Sequence, residues 1–107
     1  MAFADMPLYL DLSGAQVSVS GEPEPKKDQS GVQRSEKETG RLMWVTQCIV
    51  QRPNKAWIIS VTTAGQKPDV SQGSYVTAVG LEALSWSTNG KSGIAYRAVE
   101  LKPIPTK

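Results

Sequence analysis

A chain of 107 residues with a net charge of +2 has room for one domain and one modest core. A single cysteine, Cys48, and the absence of histidine exclude an internal disulfide, a His/Cys zinc site and any Ser–His or Cys–His catalytic arrangement within the chain. No apolar run approaches the ~18 residues of a membrane span. The start, MAFADMPLYLDL, has no basic stretch ahead of its apolar residues, so no signal peptide is expected and the expected location is the cytoplasm.

Tyr9 to Ser20 alternates apolar and polar residues on both sides of Gly14, which predicts a first strand with a bulge at the glycine. Residues 21–40 are polar, with prolines, glycines and mixed charge, and predict a long mobile loop. Arg41 to Gln51 is rich in β-branched and aromatic residues and lacks Gly and Pro, which predicts a second strand. Pro53 and Asn54 predict a turn, and Ala56 to Thr63 the returning third strand. Residues 64–72 predict a loop, and Gly73 to Leu81 a fourth strand. LEALSW (81–86) has the composition of one helical turn, and Ser87 to Gly93 that of a loop. Ile94 to Leu101 predicts a fifth strand, ended by Pro103 and Pro105. Five strands with short turns predict an all-β fold, a small Greek-key barrel or sandwich.

Period two places Leu42, Trp44, Thr46, Cys48 and Val50 on one face of the second strand. Cys48, mid-strand, is expected to be a small core residue rather than a reactive thiol. Gly90, Lys91 and Ser92 resemble the end of a phosphate loop, but the spacing puts Ser85 where the first glycine belongs. A strand-like segment then follows instead of a helix, so nucleotide hydrolysis is not expected. The acidic residues Glu22, Glu24, Asp28, Glu36 and Glu38 lie in the expected loop with nothing to make them converge on a metal.

Charge is unevenly spread. Residues 1–40 hold four basic and seven acidic side chains, and residues 41–107 hold eight and three, so the strand-rich part is the cationic part. Aromatic and basic residues alternate along it. Single-stranded nucleic acid is held by a cationic groove for the phosphates and aromatic faces for the bases, each stacked base contributing about 1–3 kcal/mol. The expected stacking residues are Trp44, Trp57, Trp86 and Tyr96. The expected phosphate contacts are Arg41, Lys55, Lys91 and Arg97, with Lys26, Lys27 and Arg34 from the loop. A small β domain also needs aromatics in its core, and roughly half of the three Trp, three Tyr and one Phe are expected there.

The segments TGRLMWVTQCIV, IISVTTAG, GSYVTAVGLEALSW and NGKSGIAYRAVEL together resemble a family of small proteins of actinobacterial plasmids and integrative conjugative elements. The resemblance covers residues 39–102, with a weaker match at Tyr9–Ser20, and is most specific from Trp86 through Gly90–Ala98. These proteins are described as regulatory or replication-associated and are similar to single-stranded DNA-binding proteins of the oligonucleotide/oligosaccharide-binding (OB) fold. The resemblance implies an OB barrel and a role in the DNA metabolism of a mobile element; joined to the strands read above, this gives a single five-stranded OB-like domain over residues 1–107, with the flexible loop at 21–40 and a short tail at 103–107. Bacterial single-stranded DNA-binding proteins end in an acidic tail that recruits replication enzymes. This chain ends KPIPTK, so recruitment by such a tail is not expected.

The residues are read as those of a non-enzymatic, cytoplasmic protein that binds single-stranded nucleic acid, DNA being the favoured ligand with RNA left open, without cofactor, metal, membrane or small-molecule substrate. The same apolar positions fit a second reading, a regulatory module that forms a homo-oligomer or docks on a replication or transfer protein.

Overall fold

The computed structural model describes residues 8–105. They form one nine-stranded sheet: β1 (Leu8–Tyr9), β2 (Gln16–Val19), β3 (Glu24–Pro25), β4 (Met43–Arg52), β5 (Lys55–Ala64), β6 (Tyr75–Val79), β7 (Glu82–Thr88), β8 (Lys91–Arg97) and β9 (Glu100–Pro103). The strand order is β1-β7-β8-β5-β4-β2-β6-β9, with β3 paired to β4 off this path. Every pairing is antiparallel except β5 with β8. No helix among the described residues is long and apolar enough to cross a membrane.

The connection between β8 and β9 dictates the curvature. Five strand spacings separate them in the sheet, which would be roughly 24 Å if it lay flat. Between Arg97 and Glu100 the chain has only Ala98 and Val99, and three Cα–Cα steps span at most ~11 Å. The sheet therefore curls into a half-barrel. Ala98 N–H donates to Thr62 O and Val99 N–H to Val79 O, which ties the two sides together at the bend.

The all-β class stands, and the second, third and fourth expected strands are close to β4, β5 and β6. The count of five does not. The expected first strand is two strands: Asp11 Oδ1 accepts from Ser13 N–H, Gly14 takes a positive φ, and the chain turns there rather than bulging. The two halves then pair with different partners, β1 with β7 and β2 with β4 and β6. The expected fifth strand is likewise divided, because the bend at Ala98–Val99 sends β8 and β9 to opposite sides of the curl.

Residues 21–40 are not an unpaired loop. Glu24–Pro25 pairs with Trp44–Val45, and bridges join Lys27 to Gln33 and Ser35 to Leu42, so the segment folds into a polar arm stitched by its backbone. The expected helical turn at 81–86 is strand β7, because cross-strand pairing along its whole length overrides the helix-forming character of Leu, Glu and Ala. The expected loop at 87–93 shrinks to Asn89–Gly90, both at positive φ as a two-residue hairpin turn requires.

The core is built from small residues: Val17, Val19, Cys48, Val50, Val61, Val76, Ala78, Leu81, Ala98 and Leu101. No described aromatic is among them. The expectation that half the aromatics are core residues is corrected: none of the described aromatics is fully buried, and Tyr96 packs against the core while only partly buried. Phe3 lies outside the described residues.

Candidate nucleic-acid interface

Strand register sorts the expected site residues onto two faces. Thr46, Cys48 and Val50 of β4 are buried, so their partners Val61, Ile59 and Trp57 share the inner face. Val61 pairs with Tyr96, which places Tyr96 on that face too, packed against the core. Thr62 pairs with Arg97, which places Arg97 outside. From Arg97 the β7–β8 register carries the outer face through Glu82, Leu84 and Ala95 to Trp86, Gly93 and Lys91.

Tyr96 and three further candidates thus lie off the outer surface. Trp44 is half-buried and its indole N–H donates to Gly65 O at 2.9 Å, so it secures the end of β5. Trp57 is 47% exposed but borders an apolar groove of about 310 Å³ with Leu10, Leu12, Val50 and Tyr96. Lys55 is exposed at the β4–β5 turn, beside Arg52, whose guanidinium donates to the main-chain oxygens of Asp11 and Ser13. These residues belong to the rim and the inner side, not to one surface with Trp86.

Trp86 is the best-placed stacking residue. It is 45% exposed, and it lies across Gly93, its cross-strand partner. A Cβ added at Gly93 would stand 2.7 Å from Trp86 Cζ2 and 2.9 Å from Cε2. The Nε1–Cε2–Cζ2 edge of the indole therefore lies close over glycine main chain, and 45% of the residue stays exposed. Lys91 is exposed on the same face with no carboxylate partner among the described residues.

The cations nearer the sheet's centre are more constrained. Arg97 Nε contacts the carboxylate of buried Glu82. Arg41 Nη2 lies 3.3 Å from Glu36 Oε1. Glu36, Arg41, Thr62, Glu82 and Arg97 border one cavity of about 370 Å³. Glu36 is held below the usual carboxylate range, first by the hydroxyl of Thr39 at 2.6 Å, then by Arg41 and the charge of Arg97, against the opposing effect of burial.

From the arm, Lys26 reaches across to the outer face, its Nζ donating to Thr62 Oγ1 at 3.1 Å. Its ammonium is pushed below its ordinary range, first by burial and then by the charge of Arg34. Lys27 and Arg34 belong to the same arm, Lys27 in its bridge to Gln33.

Three participants are absent from the sequence-based site: Gly93, Thr62 and the carboxylate Glu36. Gly93 was within reach of the sequence. A two-residue turn at Asn89–Gly90 fixes the register so that 86 faces 93 and 82 faces 97. Thr62 and Glu36 carried no signal, because their placement depends on the parallel β5–β8 pair and on the folded arm.

Cys48 is fully buried, and burial pushes its thiol up to about 11, so it holds its proton at neutral pH. Comparison with family models, with curated proteins and with solved structures finds no match to this chain.

Proposed function

We propose that the chain binds single-stranded nucleic acid, DNA in the first place, along the outer face of β5, β7 and β8. The observation that carries this reading is Trp86, set against Gly93, 45% exposed, and on one face with Lys91 and Arg97. An aromatic platform flanked by cations is what a stacked base and its phosphates need. Lys26, Lys27 and Arg34 on the arm extend the basic lining.

The strand pairings support reading the half-barrel as an OB-like Greek-key barrel. β2 pairs with β4 and β6, β5 runs parallel to β8, and β6 pairs with β9. In such barrels the second and third strands and two flanking loops form the ligand surface. Here those parts are β4–β5, the arm between β2 and β4, and the β7–β8 hairpin. The setting proposed for this binding, replication, maintenance or transfer of a mobile element, is supported by the resemblance of the sequence alone.

The test is titration of the protein with a short poly-thymidine strand, following tryptophan emission at low and high salt, with a duplex control. Binding should quench emission, favour the single strand and weaken steeply with salt. Absence of binding at low salt overturns the proposal.

A second reading rests on a separate observation, the apolar groove at Trp57, with Ile58 66% exposed beside it. It makes the chain a regulatory protein-interaction module, a homo-oligomer or a docking partner of a replication or transfer protein. A concentration-dependent mass that oligonucleotide leaves unchanged would favour it.

A further inference from the structure

We propose that Glu36 fills a phosphate subsite of the outer face, and that a nucleic-acid phosphate takes Arg41 by displacing this carboxylate. The inference rests on the single-strand reading and concerns how one of its contacts is made.

Glu36 is presented by a compact turn. Its N–H donates to Arg41 O at 2.8 Å, and Gly40 N–H donates to Glu36 O at 2.7 Å. Within that turn the Thr39 hydroxyl donates to Glu36 Oε1 and accepts from Arg41 N–H and Nε. The carboxylate and the guanidinium are thus brought together by local structure through one contact at 3.3 Å, and a guanidinium holds carboxylates and phosphates alike. The pair opens on the cavity that also contains Thr62 and Arg97. Glu36 feels the charge of Arg97 as well as that of Arg41.

A carboxylate at this position does two things. It keeps Arg41 ordered with no ligand bound, and it competes with any phosphate for the same donors. Both side chains are well exposed, 57% for Arg41 and 40% for Glu36, so the pair is weak enough to exchange. The buried Glu82 on Arg97 is a different case: only 8% of its side chain is exposed, so drawing Arg97 away would strand a charge, and the pair stays in place. Arg41 is therefore the exchangeable position of the two.

The experiment compares the full chain with its Glu36→Gln and Glu38→Gln variants in binding a labelled poly-thymidine strand across a salt series. Glu38 is an exposed acid of the same turn without an ion pair among the described residues, so it controls for the mere loss of a negative charge. With Glu36→Gln, affinity at low salt should rise about two- to fivefold, the range a surface ion pair contributes. The slope of log affinity against log salt should stay that of the parent chain, because the same phosphate meets Arg41 in both. Glu38→Gln should change affinity less and leave the slope alone. Equal effects of the two variants, or no gain with Glu36→Gln while the parent chain binds, overturn the exchange. No binding by any of the three chains removes the single-strand reading, and the exchange with it.

Discussion

Trp86 and Gly93 behave as one unit. The indole can lie close on the hairpin because position 93 carries no side chain, and a methyl there would meet the ring at 2.7 Å. Gly93→Ala should swing the ring off the sheet without altering its chemistry. Two results are expected. Tryptophan emission of the free protein should shift toward the red. Affinity for a labelled single strand should fall by about 1–3 kcal/mol, as it would with Trp86→Ala. Fluorescence anisotropy of the labelled strand measures both variants without relying on the tryptophan signal. Unchanged emission and affinity in Gly93→Ala would show that the ring's placement does not matter. Trp44 sets the contrast: its indole N–H is bonded to Gly65 O, so Trp44→Ala should act on stability more than on affinity.

Among the elements, the arm between β2 and β4 depends most on polar chemistry. Asp28 Oδ1 accepts from the N–H groups of Ser30 and Val32 and from the Ser30 hydroxyl, closing the arm's outer turn. These bonds hold the carboxyl below its ordinary value of 3.8, the Val32 N–H foremost. A carboxyl with a lowered folded-state pKa stabilises the fold fully above its unfolded value and loses that contribution as pH falls through the folded value. The melting temperature of the parent chain should therefore exceed that of Asp28→Ala at neutral pH. The gap should close as pH falls below about 4. Thermal unfolding of both chains over that range checks this, and a gap that widens toward acid pH would contradict it. The arm also shows where a sequence stops being legible. β4, β5 and β6 announce themselves through β-branched runs and Pro–Asn or Gly punctuation. The arm has no apolar period, and its order comes from backbone bonds and short Asx turns that polar composition conceals. β7 is hidden for the opposite reason: Leu81 to Leu84 favours helix by composition, yet Glu82 onward becomes strand once β8 pairs with it.

At the scale of the whole molecule, the described residues form an elongated body of 45 × 28 × 21 Å. The cationic bias of residues 41–107 was visible in composition. The division of the candidates between two faces was not, because parity along a strand says which residues share a side and leaves open which side is inside. The parallel β5–β8 contact decides that for β8, and it joins Val61 to Tyr96, far apart in sequence. The buried centre of this curl holds the chain's single sulfhydryl. Cys48 has no exposed surface, and β4 is flanked there by Val19 of β2 and Ile59 of β5. A thiol-labelling reagent can reach it only when the sheet opens, so the unmodified protein carries its own reporter of opening. Labelling should be slower than that of an unfolded thiol by about 10³-fold or more. A ligand that binds the native sheet should slow it further, in proportion to its occupancy. The same rate measurement, with and without oligonucleotide, would then report stability and binding from one atom that touches neither solvent nor ligand.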